Sequence, residues 1–195
     1  MSDLSDFIGG GGFIVKSTLF TSSGTWTKSA DIVGDQVFIT AIGGGGGGSS
    51  SGTNTGSGGL NGSWVSSLRV DVSATSSETV TIGSGGIAAR PGGTTSFGAI
   101  LSLSGGDGNN NTANSNVYSG GGSRGGASGV AGKNGGYGGN GGQVLDASET
   151  SGGTGDNLGG YGGYGYGSGG GSIGSGGYGG AGAPGAVLVE WLEKV

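Results

Sequence analysis

The sequence predicts an all-β fold: a β-sandwich-like framework carrying a glycine-rich insertion of packed polyglycine II helices, with almost no α-helix. Three observations lead there. Short segments rich in β-branched and aromatic residues are punctuated by glycine and serine, the pattern of strands and turns. Glycine supplies 58 of the 195 residues, much of it in Gly-Gly-X triplets. After a long stretch poor in aliphatic side chains the chain returns abruptly to AVLVEWL at 186–192.

In chain order, strands are expected at FIVKSTLF (13–20), QVFITAI (36–42), SWVSSLRVDV (63–72), ETVTI (78–82) and FGAILSL (97–103). In the third of these, strict alternation places Trp64, Leu68, Val70 and Val72 on one face and Val65, Ser67, Arg69 and Asp71 on the other, the mark of a half-buried strand. AVLVEWL has nothing to pair with unless it comes back to the strands of the first half. The glycine-rich region is then an insertion tied at both ends. Residues 1–12 read as an N-terminal arm and 13–195 as one domain, in which 13–103 supply mainly strands, 104–183 the polyglycine II and loop region, and 184–195 a closing strand.

The triplets GGY GGN GGQ (135–143), GGY GGY (159–164) and GGY GGA (176–181) repeat every three residues. Three residues per turn is the period of the left-handed polyproline II helix, which makes no internal hydrogen bonds. In Gly-Gly-X two edges of that helix carry only hydrogen, so neighbours can approach and exchange N–H to C=O bonds laterally. Glycine loses more backbone freedom than any other residue on being fixed, so an isolated segment of this kind is unfolded and only a laterally bonded layer can hold it.

The apolar run QVFITAI leads directly into GGGGGG (43–48). Gly43, Gly45 and Gly48 formally satisfy G-x-G-x-x-G, but the following SSSGTNTGSGGLNG has no helix-forming residues, and a phosphate cradle needs a helix N-terminus behind it. These glycines are expected to begin the first extended glycine helix.

Composition removes much chemistry. Without histidine or cysteine, disulfides, thiolate or imidazole metal sites and His-based relays are absent. The formal charge is −5 and the seven basic residues form no stripe, so no nucleic-acid partner is expected. Two prolines rule out collagen. GGTGDNL (152–158) is one residue short of a calcium-binding nonapeptide, and DGNNN (107–111) lacks the acidic end of an EF-hand loop, so no metal is expected. AGKN (131–134) lacks the hydroxyl residue of a P-loop, and no pair of acids signals a glycosidase. No cofactor and no catalytic residues are expected. MSDLSDFIGG lacks the basic and apolar regions of a secretion signal, which predicts synthesis in a cytoplasm.

FTSSGTWT (20–27), VFITAIGGGGGG (37–48), TVTIGSGG (79–86), GGTTSFGAILSLSGGDG (92–108) and GGYGGAGAPGAVLVEW (176–191) together resemble the glycine-rich domain of bacteriophage tail proteins, especially tail fibre and tail tip proteins. The likeness spans about nine tenths of the chain, and its most specific part is the glycine-to-APGAVLVE junction. Thr27, Lys28 and Ser29 stand where a proline is common after the tryptophan, a departure confined to a turn. The resemblance implies a virion protein made in the host cytoplasm and placed in the tail fibre or tail tip. It further implies a rigid polyglycine II sandwich whose loops contact a bacterial surface glycan or outer-membrane protein. A homotrimer, or a cap on a trimeric fibre, is the assembly implied.

On that reading, Leu4, Phe7 and Ile8 are the arm's attachment residues toward other phage structural proteins. All six tyrosines, Tyr118, Tyr137, Tyr161, Tyr164, Tyr166 and Tyr178, lie in the glycine-rich half. Mixed with Ser, Gly and Asn they form the palette of an antibody paratope; the alternative is that they pack over the glycine layer. The segment 107–125 breaks the three-residue period and is the expected exposed loop, with Asn109, Asn110, Asn111, Asn114, Asn116 and Arg124 as candidate receptor contacts, joined by Asn140. A purely structural virion protein, a capsid decoration protein or fibre segment, is the second reading, and a tail depolymerase the third.

Overall fold

The computed structural model describes residues 12–49, 58–108, 166–170 and 179–195. Among them there is no helix. Eight strands form two antiparallel sheets: β1 (Phe13–Phe20), β8 (Ala186–Lys194), β3 (Ile32–Ile42) and β4 (Trp64–Asp71) in that order in the first, and β2 (Gly24–Thr27), β5 (Ser77–Thr81), β6 (Thr95–Phe97) and β7 (Leu101–Leu103) in the second. The returning C-terminal strand is inserted between β1 and β3, as its isolation at the end of the glycine-rich region requires.

The sheets close over one core. Val37, Ile39, Val70, Val187 and Val189 from the first sheet meet Trp26, Val80, Phe97 and Leu103 from the second, all buried. Trp26 sits at its centre, 5.6 Å from the Phe97 ring and 6.1 Å from Trp191 in an edge-on arrangement, the geometry aromatic quadrupoles favour. Lys28 spans one side, bonding Asp35 at 2.8 Å and the Val72 carbonyl at 3.2 Å.

Three details differ from the sequence reading. Thr40 of β3 faces both Ser66 and Ser67, because the register slips by one between Ile39 and Ala41; Ser67 takes a positive φ of 50° and its N–H bonds the Thr40 hydroxyl. A bulge reverses the faces of a strand beyond it, so Trp64 pairs beside Ile42 on the outer side while Val65 packs against the core. Leu68 is 36% exposed. Residues 97–103 form no single strand: Gly98 turns at φ 52° and folds β6 onto β7. β2 is a strand that the side-chain pattern does not announce. It is four residues long and is held by pairing with β5.

Candidate functional site at the glycine cap

At one end of the sandwich the strands run into glycine, and the chain continues as a bundle of extended segments. Residues 43–48, leaving β3, lie at its centre and every one is buried. Their N–H groups donate in rotation to three neighbours. Gly43 and Gly46 reach Ser63 and Leu60; Gly44 and Gly47 reach Gly93 and Arg90; Gly45 and Gly48 reach Ala183 and Gly180, all at 2.8–3.0 Å. A partner that recurs every third residue is the signature of a three-residue-per-turn helix. The carbonyls point to three other neighbours: Gly44 accepts from Gly106, Gly45 from Gly86, Gly46 from Gly170 and Gly48 from Ala89, at 2.8–2.9 Å.

The six surrounding segments bond to one another in a closed ring. Leu60 and Ser63 donate to Asp107 and Ser104, Gly92 to Gly106, and Gly93 to Ser84. Gly182 and Gly185 donate to Gly86 and Gly83, Ala183 to Ser168, Gly167 to Pro184, and Gly62 and Gly59 to Gly167 and Gly170. Their directions alternate around the ring. Segments running with the centre donate to its carbonyls, and those running against it accept its N–H groups. The result is one helix with six neighbours, hexagonally packed.

This geometry explains the run of six glycines. A helix surrounded on all three edges has no position for a Cβ, and an added Cβ at Gly43, Gly44, Gly45, Gly46 or Gly47 would collide with a neighbouring carbonyl. Peripheral segments can carry side chains on their outer edge, as half-buried Leu60 and exposed Ala181 do. The cap thus draws on segments either side of residue 104, with 43–48, 58–63 and 83–93 contributing as much as the later ones. It also ties the sheets together: Ser63, ahead of β4, bonds Ser104, after β7, through both backbone and hydroxyl groups, the hydroxyls 2.8 Å apart. Buried Thr95 receives the Gly83 N–H on its hydroxyl at 3.0 Å.

The far end of the cap is the candidate contact surface. At about 3.1 Å per residue, Gly48 lies about 16 Å beyond Gly43 and the sandwich. There residues 87–91 make an exposed turn, IAARP, with Ile87 68% exposed. Ala88 and Ala89 hold positive φ of 31° and 60°, a conformation costing an alanine about 1–3 kcal/mol. The turn is pinned to the central helix by the Ala89 N–H to Gly48 and by Gly47 to the Arg90 carbonyl. Arg90 and Asp107 are the only charged side chains among the described residues of the cap. The sequence reading missed this turn. Its signal was the one apolar, proline-terminated interruption between two glycine pairs.

Of the candidate receptor-contact and attachment residues named from sequence, Tyr166 alone is described. It is half-buried and precedes Gly167, which takes φ 66° and sits against the Ile42 side chain and the Gly43 carbonyl. That is the sandwich end of the cap, the opposite end from the exposed turn. Tyr118, Tyr137, Tyr161, Tyr164, Tyr178, Asn109, Asn110, Asn111, Asn114, Asn116, Asn140 and Arg124 lie outside the described residues. So do Leu4, Phe7 and Ile8, and the GGTGDNL and AGKN stretches. Among the described residues no three acids converge as a metal site would require, and no helix is long and apolar enough to cross a membrane. No protein-family model matches this chain, and no curated protein matches it.

Proposed function

We propose that this chain is a non-enzymatic adhesin of a bacteriophage tail fibre or tail tip, which recognises a glycan or outer-membrane protein on the bacterial surface through the far end of its glycine cap. The observation that carries the reading is the polarity of the fold. Gly12 and Val195 are joined by a backbone hydrogen bond of 2.8 Å at the end of the sandwich where Phe13 pairs with Lys194. The cap grows from the other end, where β3 and β5 leave and β4 and β8 return. An arm before Gly12 thus docks on the virion at one end while the cap reaches the host with the other.

The cap suits that task. Its backbone groups are spent on one another, so loops at its far end stand on a stiff base and vary without disturbing it. A structural virion protein without a receptor is the second reading, favoured by the same saturation of the cap and by the near lack of charge among its described residues. Adsorption separates the two. Pre-incubating host cells with the purified chain blocks attachment of the parent phage if the chain is the adhesin. Immunogold labelling of particles then falls on the distal tail. Label over the head together with unimpaired adsorption overturns the adhesin in favour of a decoration protein.

A further inference from the structure

The four edges of the two sheets are not alike. β2 and β7, at the edges of the second sheet, are four and three residues long. β4, at one edge of the first, is bulged at Ser66 and Ser67 and carries exposed Arg69 and Asp71. Short, bulged and charged edges resist the addition of another strand. β1 is neither short nor bulged, and Lys16 is its one charge. It is eight residues long, pairs with β8 without a register break, and exposes Phe13 (49%), Ile14 (42%), Val15 (69%) and Leu19 (48%). Pairing with β8 sets Val15 and Leu19 beside Leu192 and Leu188 on the outer face, and Ile14 and Phe20 beside Glu193 and Val187 on the inner one. The exposure of Ile14 and Lys16 on that inner face shows that the second sheet stops short of β1.

We propose that β1 pairs antiparallel with β1 of a second copy of this chain about a two-fold axis at Ser17, joining the two first sheets into one of eight strands. The register follows from side chains. Directly opposed residues share a face, so only registers that set odd positions against odd ones keep both faces intact. Centring on Lys16 opposes two ammonium groups. Centring on Val15 leaves Phe20 facing residue 10, and centring on Thr18 sets Lys16 against Phe20. Centring on Ser17 opposes Val15 to Leu19 on the outer face and Ile14 to Phe20 on the inner one, each twice by symmetry, and places Lys16 against Thr18. The two-fold axis points the two glycine caps in opposite directions, so the dimer is a state of the free chain and not of an assembled fibre tip, and the proposal does not depend on the adhesin reading.

The test is the mass of the full chain in solution. Sedimentation equilibrium on the wild type gives twice the 18.1 kDa of the chain at high concentration, falling toward one on dilution. Ser17→Glu sets two carboxylates on the axis, each flanked by its own Glu190, and raises the dimer dissociation constant about tenfold or more. Ser17→Lys repels itself as well, while an equimolar mixture of the two variants restores a mixed dimer. Ser17 is exposed and pairs with Glu190 of its own chain, so Ser17→Lys melts no lower than the wild type and carries the test where the like charges of Ser17→Glu and Glu190 lower its melting point. A wild type that stays monomeric at every concentration, a trimer, which a strand pairing only with itself cannot close, or a dimer indifferent to both variants overturns the proposal.

Discussion

Replacing Gly45 by alanine tests the hexagonal cap where it is tightest. A Cβ there would overlap the Ser168 carbonyl and lie 2.7 Å from the Gly167 carbonyl oxygen, both of them backbone. No rotamer change relieves such a collision, so the segment at 167–168 must move off. Moving it puts at risk three bonds: Ala183 N–H to Ser168 at 2.8 Å, Gly62 N–H to Gly167 at 3.0 Å and Gly167 N–H to Pro184 at 2.7 Å. With about 1 kcal/mol net for each bond, and more where a buried partner is left unmet, the loss is about 3–6 kcal/mol. For a chain of this size that lowers the Tm by about 10 °C or more. Gly24→Ala is the matched control, since its Cβ would only touch the Phe20 ring at 3.5 Å, and it stays within about 1 kcal/mol of the wild type. Circular dichroism and tryptophan fluorescence melts read both. If Gly45→Ala melts with the Gly24→Ala control, crowding by neighbouring carbonyls is not what requires six consecutive glycines.

Three further perturbations probe the framework. Phe97→Ala empties the centre of the core beside Trp26 and costs about 3–5 kcal/mol, read as a fall in the denaturation midpoint at unchanged slope. Lys28→Met removes a pair whose side chains are 21% and 48% exposed, so it changes stability by less than about 1 kcal/mol; a larger loss would point to the Val72 carbonyl bond instead. Glu193 titrates below the usual carboxylate range because Ser29 and then Trp191 donate hydrogen bonds to it, and Asp71 does so because Ser73 donates to it. A lowered folded-state pKa contributes stability that is present above the unfolded value and lost as pH falls through the folded one. Acid therefore weakens the fold below about pH 4, and Ser29→Ala raises the Glu193 midpoint in an NMR titration while leaving Asp71 unmoved.

Much of this architecture was legible in the sequence, because its periods are physical. The bounds of β1, the return of β8 and the start of the glycine helix at Gly43 each follow from a change in side-chain pattern. What stayed hidden depends on tertiary neighbours. The bulge opposite Thr40 turns Trp64 outward, and nothing in the Ser66-Ser67 pair announces it. Gly98 breaks 97–103 into a hairpin, although one glycine in an apolar run equally suits a strand. A three-residue period says that residues 43–48 need partners on three edges but not which segments supply them, so the ring from 58–63 round to 166–170 emerges only in three dimensions. The candidate contact surface was least legible: composition points to tyrosines, whereas the described tip is Ile87, two strained alanines and Arg90.

Native-state hydrogen exchange of the amides of residues 43–48 tests the glycine cap most directly. Each N–H is buried and bonded to a neighbouring carbonyl, so these six glycines should exchange as slowly as Val37 and Ile39 in the middle of β3, opening only with the whole domain. Exchange at the rate of an unstructured glycine chain, while β3 remains protected, would contradict the account.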